Sequence, residues 1–392
     1  MKVNNTLKML CLLALLAAFP PLSTDMYLPA LPLLQKTWQQ PKSVVNLTLS
    51  GFFIGFCVSM LLYGPLSDKY GRRPPLMCGI ILYIAASFVS GFVDDIYHLI
   101  LLRVLQGLGA SSGVVIAMAI TKDLYEGPQR QHILAYMAVI MALAPMLAPV
   151  FGGLIMAWLS WHWVFFVQAL MGIIALGGVF RLREPLQTLE HISVLKTMGL
   201  YLKLFGNRRY IGLVLLFSVI VLPHFSFIGS ASNIYISRFG TSEQVFSYFF
   251  AFNAAAIMAG SFMCTRIQRR MSSDKIVTVS FAGILAAGLL MHADIVAGPW
   301  GLALPMALAS FFFGLSRPPS NHLVLLQVDQ GAGTASSLMI FLYFIVAAFA
   351  MWFISLDWAD TIHVIARLAI FAAFFVLAVW LPMVKKIDLN KR

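Results

Sequence analysis

Asp25 stands in the segment Leu22-Ser23-Thr24-Asp25-Met26-Tyr27-Leu28-Pro29-Ala30-Leu31-Pro32, inside an apolar run over about residues 8–33. If that run crosses a membrane, a carboxylate within it is costly and faces a cavity or a partner. At 1.5 Å per residue it lies roughly 10 Å from the outer end of the helix. A carboxylate at that depth that trades a proton for a polar or cationic compound is a simple coupling device, and the neighbouring Tyr27 is a candidate cavity residue. The competing reading is structural: Asp25 satisfies backbone groups freed at a break near Pro29.

Arg103 is the natural counterpart, in Leu102-Arg103-Val104-Leu105-Gln106-Gly107-Leu108-Gly109. It lies about 8 Å from the same surface, so an Asp25–Arg103 interaction is open to it, directly or through water, if both helices line one cavity. Gln106 is a second cavity candidate on that helix. The alternative is an arginine that snorkels to the outer interface.

Two further segments carry unusual spacing. Gly64-Pro65-Leu66-Ser67-Asp68-Lys69-Tyr70-Gly71-Arg72-Arg73 combines Gly64 for close helix approach and Gly71 for a tight turn. Its Asp68 can accept from Arg72 or cap a neighbouring helix N-terminus, which makes a charged conformational latch. In Ala144-Pro145-Met146-Leu147-Ala148-Pro149-Val150-Phe151-Gly152-Gly153, Pro145 and Pro149 each remove a backbone donor, and Gly152 and Gly153 permit tight packing.

The elements that must position these residues follow from composition. Of 392 residues, 60% are hydrophobic and 11% charged, whereas soluble domains carry about 25% charged residues. Lipid must therefore be the solvent. Apolar runs fall at about 8–33, 44–66, 74–93, 98–120, 132–157 and 161–181, and again at 209–232, 244–266, 275–293, 299–317, 333–355 and 360–384. These predict an all-α integral membrane protein with twelve transmembrane helices in two six-helix halves. The halves are residues 1–181 and 209–392, joined by a cytoplasmic central loop over 182–208. Lys2 and Lys8 before residues 9–19 resemble a signal peptide, but the apolar character runs on, which favours an uncleaved first helix. With the N-terminus inside, this map puts 22 of the 27 Lys and Arg on the cytoplasmic side and three, Lys36, Lys42 and Arg238, outside. Such asymmetry in short loops places both termini in the cytoplasm. It also accounts for the net charge of +12 without nucleic acid. Two equal halves suggest a repeat transporter with its substrate site between them.

Together these segments carry a family resemblance. Gly64 to Arg73 resembles the cytoplasmic-loop signature of the major facilitator superfamily, Arg103 to Gly109 its fourth-helix motif, and Ala144 to Gly153 its fifth-helix antiporter motif. Thr24 to Pro32, with Ala332-Gly333-Thr334-Ala335-Ser336-Ser337-Leu338, resembles the Bcr/CflA branch of drug:proton antiporters. The resemblance implies twelve helices, alternating access, and proton-driven export of bicyclomycin- or chloramphenicol-like drugs across a bacterial inner membrane by a monomer. Ala148 stands where many antiporters have glycine. Leu16-Ala17-Ala18 stands where some relatives carry a second carboxylate, so coupling here rests on Asp25.

Other residues carry weaker readings. His224, after Pro223, is a ring able to titrate near neutral pH or a packing residue at a kink, and Asn253 is a polar cavity candidate. The runs Phe249-Phe250 and Phe311-Phe312-Phe313 read as packing. The four cysteines (Cys11, Cys57, Cys78 and Cys264) lie in apolar stretches without a CxxC pair, so neither disulfide nor metal is expected. Arg317-Pro318-Pro319-Ser320-Asn321-His322 takes no role from the sequence. An exporter of a dedicated metabolite or siderophore on the same fold is the alternative, since fold does not fix substrate. No metal-ligand motif such as HExxH and no intramembrane nucleophile with its base points to an enzyme. A receptor would carry a soluble output domain, for which no loop or tail is long enough. The expected partners are a small-molecule substrate, protons and the lipid bilayer. No cofactor is expected, the proton gradient being the energy source.

Overall fold

The computed structural model describes residues 3–186, 194–328 and 332–389, and every regular element among them is helical. The first unit, Met1–Leu202, contains α1 (Val3–Ala17), α2 (Phe19–Asp25), α3 (Leu31–Thr37), α4 (Lys42–Tyr70), α5 (Arg73–Ser90), α6 (Ile96–Leu124), α7 (Gly127–Trp158) and α8 (His162–Phe180). Helix α9 (Val194–Gly206) runs across its end. The second unit, Lys203–Arg392, contains α10 (Arg208–Ser218), α11 (Val221–Ser232), α12 (Glu243–Ile267), α13 (Ser273–His292), α14 (Pro299–Leu325), α15 (Ala332–Ile354) and α16 (Thr361–Leu389).

Eleven of the described helical stretches are long and apolar enough to cross a membrane. A twelfth forms if the pair Leu7–Ala17 and Phe19–Thr37, bent by 45°, is one span. One element falls where the sequence reads as a polar connection: α9 forms within it, and its Tyr201 hydroxyl reaches the Leu61 carbonyl on α4 at 3.5 Å. A second difference concerns Arg317. The tenth apolar run was expected to end there, but α14 continues to Leu325. Arg317 therefore lies within a helix rather than in a loop, about 12 Å before the helix end.

Both units close their cores with the same device. In lipid, helices gain nothing from burying apolar surface against each other, so close backbone approach at small residues holds them together. A Cβ on Gly55 would strike the Val104 carbonyl and one on Gly107 that of Phe52, which brings α4 against α6. In the second unit, Gly260 meets the Phe311 carbonyl and Gly314 that of Ile257, which joins α12 to α14.

A surface fork closes one end of the second unit. After α11 the chain makes one π turn, Asn233–Arg238. Arg238 Nη1 and Nη2 donate to Asp360 Oδ1 and Oδ2 at 2.8 and 3.0 Å. This fork, with the His363 amide, holds the Asp360 carboxyl well below the usual carboxylate range. A depressed carboxyl contributes stability above its unfolded-state value near 4 and loses it only as pH falls below that. The melting temperature should therefore be flat between pH 8 and 5 as far as this pair is concerned. Both side chains keep partial contact with solvent, so Asp360→Asn should cost less than about 1 kcal/mol in a thermal melt.

Candidate functional site

The break in the first span is written in its prolines. Pro29 has no N–H for the Asp25 carbonyl, and Pro32 none for that of Leu28. The chain consequently leaves α2 after Asp25, passes through a 3-10 turn at Leu28–Ala30, and resumes in α3. The Tyr27 amide turns back to the Thr24 carbonyl at 3.2 Å, so the Ser23 carbonyl is left for other donors.

Those donors come from α6 and α8. Arg103 Nη1 donates to the Ser23 carbonyl at 2.9 Å and to Gln106 Oε1. Its Nε reaches the Thr48 carbonyl at 3.4 Å. Gln106 Nε2 donates to Ser87 Oγ and to Gln168 Oε1, both at 2.7 Å. Gln168 Nε2 returns to the Leu22 carbonyl at 3.2 Å. Arg103 has no exposed surface and lies 4.7 Å from the ring of Phe52, 5.0 Å from Tyr27 and 5.9 Å from Phe165. Carbonyl oxygens and aromatic faces, rather than a carboxylate, stabilise the buried guanidinium. It does not snorkel to the interface.

Asp25 and Arg103 do not pair. Among the described residues no ion pair includes either, and they are linked instead through two residues of α2 backbone, from Ser23 to Asp25. Asp25 is 6% exposed and accepts from the Thr24 hydroxyl at 2.8 Å. Among the described residues no backbone N–H donates to its carboxylate, so it does not cap the break. The Thr24 hydroxyl also has the Pro20 carbonyl at 3.0 Å. One proton thus has two acceptors. Ionised Asp25 takes it, whereas a protonated Asp25 can donate to Thr24 Oγ1 while Thr24 turns to Pro20. Either protonation state finds a hydrogen bond. Tyr27 is fully buried and its hydroxyl has no partner.

Helix α7 walls this break. A Cβ on Gly152 would overlap the Met26 carbonyl, which places the α7 backbone directly on the residue after Asp25. Gly153 beside it and Pro149 one turn earlier are buried, and Pro145 is half-buried. Gly152→Ala must displace either α7 or the break. Transport in whole cells is expected to fall at least tenfold while the protein is still inserted, read by a resistance assay beside an immunoblot.

The loop after α4 is anchored more widely than its own sequence suggests. Asp68 accepts from Arg72 Nη1 at 2.5 Å, Ser67 Oγ from the same nitrogen at 2.8 Å, and Asp123 at the end of α6 from Arg72 Nε at 2.6 Å. The N-terminus of α5 is capped by Glu184, not by Asp68: its oxygens accept from the amides of Arg72 and Arg73 at 2.7 and 3.0 Å. Gly71 has φ +86°, so the turn requires glycine, and a Cβ there would lie 2.8 Å from the Glu184 carboxylate and push it aside. Gly64 differs from expectation. Among the described residues of its unit, nothing lies within 4 Å of a Cβ at that position.

The two candidates of the second unit lie on different helices. Asn253 on α12 is buried and accepts from Ser310 Oγ on α14 at 2.8 Å, a bond that tethers the two helices. His224 on α11 is 8% exposed, stacks on Phe313 at 4.5 Å, and has no partner for Nδ1. Among the described residues no three His, Cys, Asp or Glu gather to hold a metal ion. Sequence reasoning missed Gln168, Asp123, Glu184 and Thr48, each of which serves a motif residue from a distant part of the chain.

The comparisons with known proteins agree with this architecture. The profile described as Major Facilitator Superfamily matches residues 13–351. An uncharacterized MFS-type transporter, YdgK of Bacillus subtilis, is 31% identical over 84% of this chain and 83% of its own length. A bicyclomycin resistance protein homolog of Haemophilus influenzae is 27% identical over 86% of each chain. The crystal structure of a D-xylose-proton symporter superposes with a TM-score of 0.74 at 13% identity, over 95% of this chain and 97% of that one. The helical architecture, the motif residues and the profile match all lead to one assignment: the chain belongs to the Major Facilitator Superfamily.

Proposed function

We propose that this protein is a proton-coupled exporter of small amphipathic drugs across a bacterial inner membrane, with Asp25 as the residue that exchanges the proton. The observation that carries the reading is Asp25 itself: a carboxylate at a break in a membrane span, 6% exposed, with a hydroxyl donor and no paired cation. A carboxylate locked to Arg103 would be held in its ionised form, whereas an unpaired one is free to cycle. Thr24 supplies a hydrogen bond in either state.

In the proposed cycle, a proton from the periplasm neutralises Asp25 and substrate leaves outward. The protonated carrier returns, releases its proton to the cytoplasm and accepts the next molecule. Arg103 keeps the break in α2 fixed, and the Asp68–Arg72–Asp123 cluster holds the cytoplasmic ends of α4, α5 and α6 in one arrangement. The naming of a relative for bicyclomycin resistance supports drugs as the substrate class. The excess of basic residues in the segments read as cytoplasmic supports cytoplasmic termini, and we propose a monomer as the working unit.

The test is proton flux in proteoliposomes with a trapped pH dye. Addition of chloramphenicol, bicyclomycin or a lipophilic cation should release protons from the vesicles' acidic side in the wild type. Absence of flux with every drug class, in protein shown to be folded, would overturn the reading.

A further inference from the structure

The second unit holds a half-buried cation that the transport reading does not use. Arg317 lies inside α14, with Phe313 one turn before it on the same helix face. Its guanidinium carbon lies 4.1 Å from the Tyr343 ring on α15 and 5.7 Å from that of Phe313. Among the described residues no carboxylate pairs with it. Nη1 is buried and has no hydrogen-bond partner.

The surroundings repeat this deficit. The Tyr343 hydroxyl is buried without a partner, and so is Nδ1 of His224, whose ring stacks on Phe313 at 4.5 Å. An arginine that merely snorkelled would carry its nitrogens into the polar interface and leave none buried and unpaired. Unmet donors on a cation within a span are expensive and mark a place where something else binds.

We propose that Arg317, with the Tyr343 hydroxyl, forms a recognition site for an aromatic compound bearing a carboxylate. The carboxylate accepts from both donors, and the compound's ring takes its place among Phe313, His224 and Tyr343. The proposal rests on the export reading and narrows its substrate class: aromatic acids join or replace neutral and cationic drugs. A charge-assisted bond to a desolvated guanidinium is about twice as strong as a neutral one, which corresponds to a preference of about tenfold or more for the acid over its amide.

The experiment uses full-length protein in lipid nanodiscs and calorimetric titration with 1-naphthoate and its neutral isostere 1-naphthamide. The wild type should bind the acid at least about tenfold more tightly. Arg317→Gln should bind both alike with unchanged amide affinity, which also shows that the variant is folded, and Arg317→Lys should keep part of the preference. Equal binding of acid and amide by the wild type, no binding of either, or an undiminished preference in Arg317→Gln would overturn the site. Chloramphenicol-driven proton flux in the same preparation separates the two readings. Flux without acid preference removes only the anion site, and acid preference without flux with any compound removes only proton-coupled export.

Discussion

Asp25→Asn is expected to abolish drug accumulation against a gradient while leaving the protein folded and able to bind drug. The reason lies in how little the substitution changes. An asparagine carbonyl still accepts from the Thr24 hydroxyl, which now donates to Asp25 Oδ1 at 2.8 Å, and the side chain keeps its volume. What disappears is proton exchange. Each pH unit across the membrane is worth about 1.4 kcal/mol, a factor of ten in concentration. With one proton per molecule, a gradient of about 2 pH units lets the wild type sustain a ratio of up to about a hundredfold, and the variant should relax to a ratio of one. Exchange of labelled drug across vesicles without a gradient should persist. A melting temperature equal to that of the wild type would assign the loss to coupling rather than to folding. Thr24→Val should reproduce part of the defect and Thr24→Ser should not, because only the hydroxyl serves both states of the carboxyl.

Arg103→Leu is the second change with a large expected effect, and here folding is expected to suffer as well. Removing the guanidinium leaves the Ser23 carbonyl and Gln106 Oε1 without the donor they now share, inside a core where Arg103 has no exposed surface. Lost bonds within a membrane cost less than in water, but a cavity among Tyr27, Phe52 and Phe165 adds to them, for a total of about 2–5 kcal/mol. The solubilised protein should melt several degrees earlier. Arg103→Lys keeps the charge yet offers one ammonium where three oxygens are served from two arms of a planar fork. It should insert normally and still lose most of its transport. If Arg103→Lys transported like the wild type, the role assigned to the fork at the break in α2 would be wrong.

Much of this was legible in the sequence, and the illegible part has a common cause. Hydropathy reports which residues leave water, so the spans emerge from apolar runs, and a carboxylate such as Asp25 inside one stands out. The φ of +86° at Gly71 matches a glycine placed between Tyr70 and Arg72 at a helix end. What hydropathy does not report is which polar group meets which. Gln168 meets Gln106 across 62 residues, Asp123 meets Arg72 across 51, and Glu184 meets Arg72 across 112. Spacing also misled in two places. Gly64 suggested a close helix approach, yet no described residue of its unit comes within 4 Å of a Cβ there, because a glycine permits approach without requiring it. Arg317 read as the end of a span because a charge interrupts an apolar run, whereas aromatic rings of Phe313 and Tyr343 accommodate it within α14.

The central claim is that a proton gradient alone can move a drug through this protein, in the opposite direction, by way of Asp25. Proteoliposomes with equal chloramphenicol on both sides and an imposed pH difference test it most directly. Net movement of drug toward the acidic side in the wild type, and none in Asp25→Asn, is the result the mechanism predicts. Drug that stays put, follows the protons toward the alkaline side, or moves equally well in Asp25→Asn would contradict it.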